Sequence, residues 1–186
     1  MRSIRIFFGV CMALLIAVGT VAAAPAEHAT TQSSNAIRMA PFEAVAGCFP
    51  EAEAVAWVTP TRSGVDRLVV QARGLPPHTT FTLFLTETPD LPFGAAQYLS
   101  SFTTNYAGWG WSSVYTEVQD AFSSTLVNEE RVRAELDHVV IWFADSAADD
   151  GCLGAGAGPV TPFDDDGEAG IGVLQSVVTE NNPLAR

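Results

Sequence analysis

The 186-residue chain carries 21 acidic residues against nine basic ones, all of them arginine, which gives a formal net charge of −12. This balance argues against nucleic acid, whose phosphates attract a basic surface, and against adhesion to anionic lipid. The length suits one domain behind a leader, and hydrophobic residues make up 48% of the chain, which is enough for a single core.

Residues 1–26 have the features of a secretory signal peptide. Two arginines precede an apolar run that is too short to span a bilayer comfortably, and small residues follow up to Ala23 and Ala26. We therefore expect a secreted, extracellular protein with no membrane span after cleavage. Residues 27–40 are polar and lack periodicity, so we expect a flexible N-terminal arm before the domain at 41–180.

Two cysteines, Cys48 and Cys152, remain once the leader is removed together with Cys11. An even number of cysteines in an exported protein is typical of disulfide bonding. The sequence therefore predicts one disulfide between Cys48 and Cys152.

The first half of the domain shows the alternation of apolar and polar residues that is typical of strands. In residues 80–86, Phe81, Leu83 and Leu85 fall on one face, so we expect these three side chains in the core. A Gly-Leu-Pro-Pro corner separates this strand from the one before it, because proline lacks the N–H that a ladder needs. The strands predicted in this half cover residues 53–59, 65–73, 80–86, 98–103 and 109–116, the last two flanking a hairpin turn at 105–108.

The second half predicts a helix followed by further strands. Residues 128–136 are rich in helix formers, and Asn128 is a suitable cap, so we expect a short helix that crosses between sheets. Residues 138–145 form an apolar run that predicts a buried strand, with Val140 and Trp142 in the core. Short strands at 160–166 and 170–178 and a tail at 181–186 complete the chain. The predicted fold is an all-β, antiparallel, immunoglobulin-like β-sandwich of about seven strands with one short helix.

Residues 74–85 (GLPPHTTFTLFL) and 101–108 (SFTTNYAG) together resemble a pattern in secreted bacterial β-sandwich modules. The extracytoplasmic region of anti-sigma-factor-K-type proteins is similar, with a Leu-Pro-Pro corner, a strand and a glycine-containing hairpin. The resemblance implies a β-sandwich and export. It does not imply the regulatory function, because the chain lacks the cytoplasmic zinc-binding segment and the membrane anchor of those regulators.

Acidic loops in the C-terminal third are the candidate metal site. Clustered carboxylates on loops supply the hard oxygen ligands that Ca²⁺ prefers, so calcium is the one cofactor that the sequence suggests. The alternative is a pair of solvated acidic turns that aid solubility. The candidate ligands are Asp145, Asp149, Asp150, Asp164, Asp165, Asp166 and Glu168.

Three aromatic residues, Tyr106, Trp109 and Trp111, lie in and after the predicted turn. Trp109 and Trp111 share one strand face because side chains alternate with a period of two. Facing outward, they would form a platform for a glycan or an extracellular protein partner. Facing inward, they would belong to the sandwich core.

Residue patterns for catalysis or transition-metal binding are sparse. The three histidines lack the spacing of a metal site, and no serine lies in a Gly-x-Ser-x-Gly elbow. The leading hypothesis is a secreted, non-catalytic β-sandwich that binds a partner outside the cell. One alternative is a small secreted hydrolase that uses loop carboxylates such as Glu87 with Asp90, or Glu117 with Asp120. A purely structural extracellular protein is another.

Overall fold

The computed structural model describes residues 36–159, 161–163, 167–177 and 184. Half of the described residues lie in strands and 8% in helices, and the strands pair antiparallel, which confirms the all-β prediction. A large sheet nearly closes on itself, which gives a sandwich-like or barrel-like fold. Within the described residues, no helix has the length and apolar character needed to cross a membrane.

The described residues form twelve strands and two short helices in succession. The strands are β1 (Ala36–Pro41), β2 (Glu53–Pro60), β3 (Asp66–Arg73), β4 (Thr80–Thr86), β5 (Ala96–Thr103), β6 (Gly110–Thr116), β7 (Phe122–Val127), β8 (Glu130–Glu135), β9 (His138–Phe143), β10 (Thr161–Phe163), β11 (Gly167–Ala169) and β12 (Gly172–Ser176). The helices are α1 (Glu43–Ala46) and α2 (Asp150–Leu153), with a 3-10 turn at Ser146–Ala148.

The large sheet has the order β5-β4-β9-β12-β1-β2-β3-β6, so β5 and β6 are its two edges. The edges meet through side chains: the hydroxyls of Ser100 and Ser112 lie 2.6 Å apart, and the ring of Phe102 fills the space beside Gly110. The sequence predicted that β5 and β6 pair with each other as a hairpin, and this pairing is wrong. The turn exists, but β5 pairs with β4 and β6 pairs with β3.

The core residues predicted from alternation are all buried. Phe81, Leu83 and Leu85 have no exposed surface and face the inside of the sheet. Val140 and Trp142 are also buried, but on the opposite side, because Trp142 lies opposite Thr82 in the β4–β9 ladder. These central strands are therefore buried on both faces, which is why the run at 138–145 is continuously apolar.

A loop at residues 87–95 covers the outer side of β4 and β9. Phe93 packs on Trp142 with the ring centroids 4.9 Å apart, and it also meets Phe42 edge to face at 5.8 Å. Trp142 packs in turn on Phe84, with the ring centroids 4.4 Å apart and the planes tilted. Gly172 leaves the room for this packing, since a Cβ there would lie 2.6 Å from the Phe42 ring. We call the outer side of β4 and β9 the covered face.

Strand β1 corrects the boundary of the predicted flexible arm. Residues 36–40, which the sequence assigned to the arm at 27–40, form most of a strand that pairs with β2 and β12. Ile37 and Met39 point into the core and are 3% exposed. Burial of these two alternating side chains explains why a short, otherwise polar segment joins the sheet.

The predicted helix at 128–136 is wrong, because these residues belong to the β7–β8 hairpin. Asn128 and Glu129 have φ angles of 51° and 70°, the left-handed values of a two-residue hairpin turn. The guanidinium of Arg133 lies 3.7 Å from the centre of the Phe122 ring across the hairpin. Pairing with β7 thus outweighs the helix propensity of the β8 residues.

The predicted disulfide is present. Cys48, just after α1, is bonded to Cys152 in α2, at a sequence separation of 104. Phe49, beside Cys48, packs on Phe143 of β9 with the ring centroids 6.0 Å apart. The disulfide therefore fastens the α1 segment and the α2 loop to the end of the sheet where β9 finishes.

Candidate functional site

Three tryptophans are exposed together on the outer side of β2, β3 and β6. In the ladder Trp111 lies opposite Gln71, and Trp57 lies opposite Val69 in the adjacent row, so both indoles point away from the core. Trp109 precedes Trp111 by two residues and therefore shares its side. The exposed fractions of Trp57, Trp109 and Trp111 are 37%, 54% and 66%. We call these three indoles, together with Gln71, the indole platform.

Two pockets lie on the indole platform, and both are lined by Gln71 and Trp109. The first has a volume of about 210 Å³ and is also lined by Trp57 and Arg73. The second has a volume of about 240 Å³ and reaches Trp111. Each pocket thus combines an indole wall with the amide of Gln71, which can both donate and accept hydrogen bonds.

The turn before β6 fixes Trp109, at its end, and leads directly to Trp111 in the strand. The side-chain carbonyl of Asn105 accepts hydrogen bonds from the backbone N–H groups of Ala107 at 2.8 Å and Trp109 at 3.1 Å. Gly108 has a φ of 71°, and a Cβ there would lie 2.2 Å from the carbonyl oxygen of Leu75. The turn is therefore packed against the 74–77 corner, and only glycine fits at 108.

Thr104 ties this turn to the corner from the other side. Its hydroxyl donates to the carbonyl of Pro76 at 2.6 Å and accepts from the N–H of Thr79 at 3.0 Å. The side chain is 2% exposed, so both bonds are protected from water. Thr104 is a positioning residue that sequence patterns do not reveal, because nothing in the local sequence separates it from the exposed Thr103.

Charged side chains surround the indoles in defined positions. Arg73 donates from Nε to Glu53 at 2.6 Å across the β2–β3 ladder. Arg67 donates from Nε to the hydroxyl of Ser113 at 3.2 Å, and its guanidinium lies 6.0 Å from the centre of the Tyr115 ring. The Arg73–Glu53 pair is exposed to solvent and contributes at most about 1 kcal/mol to stability. These groups are therefore oriented but free to exchange partners.

The predicted binding residues Tyr106, Trp109 and Trp111 lie at one edge of the sheet, all with exposed side chains. Of the two orientations that the sequence left open for the tryptophans, the structure has the outward one. Tyr106 projects from the turn and is 82% exposed. Trp57 belongs to the same surface but was missed, because alternation in β2 gives its face and only the strand pairing brings it near β6.

The described acidic residues of the predicted calcium site accept hydrogen bonds from backbone N–H groups. Asp145 caps the 3-10 turn by accepting from the N–H of Ala147 at 2.8 Å, and Asp150 accepts from the N–H of Gly156 at 2.8 Å. Asp149 is fully buried and accepts from the N–H of Ile171 at 2.9 Å. Among the residues that the structure describes, no group of three His, Cys, Asp or Glu side chains is placed to hold a metal ion.

The rest of the predicted calcium site lies outside the described part of the chain. Asp164, Asp165 and Asp166 are among the residues not described, and so is the side chain of Glu168. Calcium binding by the acidic loops therefore stays a prediction.

One histidine in the described region is partly buried beside an acidic residue. Burial lowers the pKa of His138 below its usual 6.5, and the neighbouring Asp137 opposes this shift. Burial raises the pKa of Asp137 above its usual 3.8. Nδ1 of His138 lies 3.4 Å from the hydroxyl of Ser176. The shifts follow from burial at the start of β9 and do not by themselves indicate a catalytic pair.

Comparison of the chain with protein-family models, with curated proteins and with solved structures finds no significant match. The resemblance at residues 74–85 and 101–108 is thus one of strand and turn pattern. These segments fold into the 74–77 corner, β4, the end of β5 and the turn before β6. The function has to be inferred from the surface that this framework displays.

Proposed function

We propose that the protein is a secreted, non-catalytic binding module that holds a glycan on the indole platform. The observation that carries the proposal is the exposure of Trp57, Trp109 and Trp111 side by side on one sheet face. Isolated exposed apolar residues are ordinary, but contiguous exposed aromatic surface on a folded domain usually marks a binding site. Antiparallel strands also give the indoles a rigid support, which limits the entropy lost on binding.

A sugar ring suits this surface better than a purely apolar ligand. The C–H groups of a pyranose can lie on the electron-rich face of an indole, while its hydroxyls hydrogen-bond at the rim. Gln71 offers a donor and an acceptor between the indoles, and Arg73 and Glu53 offer a donor and an acceptor beside Trp109. The pockets therefore provide both kinds of contact that a glycan needs.

Export is part of the proposal. The N-terminal segment has signal-peptide features, and a disulfide is expected in an oxidising compartment. Of the loop carboxylates considered for a hydrolase, Glu87 accepts a hydrogen bond from the N–H of Ala95 and so braces its own loop.

The test is binding of the purified mature protein to a panel of polysaccharides, measured by affinity electrophoresis and by pull-down on insoluble glycans. We expect at least one glycan to bind and Trp111→Ala to weaken that binding tenfold or more. Phe122→Ala is the matched control, because Phe122 is an exposed aromatic residue on the separate β7–β8 hairpin. Equal loss in both variants, or binding untouched by Trp111→Ala, would contradict the proposal.

A further inference from the structure

We infer that the glycan held on the indole platform is anionic, bearing carboxylate or sulfate groups. This inference rests on the proposed function and adds the chemical class of the ligand. It comes from the distribution of charge, which is independent of the exposure of the tryptophans.

Arginines gather around the indoles although the chain as a whole is strongly acidic, with a net charge of −12. The outward side chains of β1, β2, β3 and β6 include Arg38, Arg67 and Arg73 but only one acid, Glu53. The other two described arginines of the strands, Arg131 and Arg133, lie on the separate hairpin. The face that carries the indoles is thus locally cationic.

The register places these arginines beside the indoles. Arg38 lies opposite Val55, which lies opposite Gln71 and then Trp111, so all four share one row across the sheet. Neighbouring strands are about 4.8 Å apart, so this row spans roughly 14 Å. A glycan lying along it would meet an indole at one end and a guanidinium at the other.

The second arginine, Arg73, lines the same pocket as Trp57 and Trp109. Its partner Glu53 is exposed, so an anionic group on the ligand can add to or replace this contact at little cost. Arg38 has no ion pair with another residue in the described part of the chain. A planar guanidinium binds a carboxylate or a sulfate through two parallel hydrogen bonds, which gives direction as well as attraction.

The acidic remainder of the protein makes this arrangement selective. Repulsion from the net negative charge disfavours an anion on the acidic parts of the surface, while contacts at the arginines act over a few ångströms. Binding should therefore weaken as salt is added, because these charges are exposed and salt screens them. A neutral glycan would show little dependence on salt.

The decisive experiment compares polygalacturonate with its fully methyl-esterified form, which has the same backbone without the charge. We expect the mature protein to bind the charged form at least tenfold more tightly at low salt. Dextran sulfate against dextran is the parallel arm, which distinguishes sulfate from carboxylate recognition. Preference for the charged member of either pair supports the inference.

Variants test whether the preference for the charged glycan comes from the face that carries the indole platform. The double substitution Arg38→Gln with Arg73→Gln should abolish the preference for the charged glycan, while Arg131→Gln on the hairpin should leave it unchanged. Trp111→Ala should weaken binding of both members of a pair. Because Arg38, Arg73 and Arg131 are all exposed, the variants should fold as the wild type does, which thermal unfolding checks.

The outcomes separate the two proposals. Equal binding of charged and esterified forms, both lost in Trp111→Ala, would leave the glycan-binding module in place and overturn the anionic ligand. Absence of binding to all four polysaccharides would overturn the inference that the ligand is an anionic glycan. The wider panel of polysaccharides then tests only the proposal that the protein is a glycan-binding module. Poly-L-glutamate that binds as tightly as polygalacturonate, without dependence on Trp111, would also overturn the inference of an anionic glycan, in favour of an acidic protein partner.

Discussion

The two outer faces of the sheet carry similar aromatic residues but differ in what lies over them. On the covered face, Trp142 sits beneath Phe93, which in turn meets Phe42, and is 4% exposed. On the indole platform, Trp111 lies on the same kind of pleated surface and is 66% exposed. A tryptophan on the outer side of this sheet is therefore buried where a loop packs over it. Within the described ranges no loop covers the indoles of the platform, which remain 37–66% exposed, and we therefore propose a role in binding for them.

The largest difference should appear when one tryptophan of each face is removed. Trp142→Ala should cost about 3–5 kcal/mol of unfolding free energy, because it empties a packed aromatic stack. Trp111→Ala should change stability by no more than about 0.5 kcal/mol, since most of the indole is already in water. Urea titration followed by circular dichroism measures both. Similar costs for the two variants would remove the distinction between the faces.

The next largest effect should come from removing the disulfide, which affects the covered face rather than the indole platform. The disulfide fastens the segment that brings Phe42 to the covered face. Cys48 and Cys152 are 104 residues apart, so replacing both by serine should cost about 2–4 kcal/mol. Thermal unfolding of the double variant against the wild type gives the value. Glycan binding at the platform should survive at temperatures where the variant is folded. Two alkylatable thiols in the native mature protein would contradict the bond itself.

Alternation and turn chemistry in the sequence were sufficient to predict the fold class. Leu83 and Trp142 were placed in the core because apolar residues in a strand must face a buried surface. The cysteine pair followed from an even count in an exported chain. These features depend on local pattern or on composition, which a single sequence contains.

Features that depend on distant strand pairing could not be predicted in the same way. The residues of β8 are good helix formers, and only their register with β7 and the left-handed turn at Asn128 make them a strand. The pairing of β5 with β4 and of β6 with β3, rather than of β5 with β6, is likewise a long-range choice that the local turn does not reveal. Trp57 joins the platform only because β3 lies between β2 and β6. The sequence therefore grouped two of the three indoles, and the strand order adds the third.

A smaller effect on stability and on glycan affinity is expected when the turn that supports the indole platform is weakened while the indoles themselves are kept. Thr104→Val removes the hydroxyl that joins the turn to Pro76 and Thr79, and it should cost about 1–3 kcal/mol because the N–H of Thr79 loses its partner. Glycan affinity should fall as well, since Trp109 follows this turn. Thr103→Val is the control, because Thr103 is exposed. Lower stability with unchanged affinity would mean that the turn does not position the indoles.

The smallest effect concerns pH and lies at the edge of the covered face, where His138 pairs with Thr86. Burial holds the pKa of His138 below 6.5, so the unfolded chain binds a proton more readily than the folded one. Stability should therefore rise with pH through the interval between the lowered pKa and 6.5, and level off above it. The raised pKa of Asp137 acts in the opposite sense, with stability falling as pH rises above 3.8.

The histidine contribution is isolated by measuring the free energy of unfolding against pH for the wild type and for His138→Gln and subtracting the second curve from the first. Urea unfolding at intervals between pH 5 and pH 7.5 should show a shallower rise in the variant, by an amount smaller than the effects above because the imidazole is only partly buried. An NMR titration of the wild type should place the His138 midpoint below 6.5. Binding at the platform should not follow this midpoint, because His138 belongs to β9, whereas the indoles lie on β2, on β6 and at the residue just before β6. A glycan affinity that tracked the His138 titration would mean that the two faces are coupled, and the separation between a stabilising face and a binding face would then be wrong.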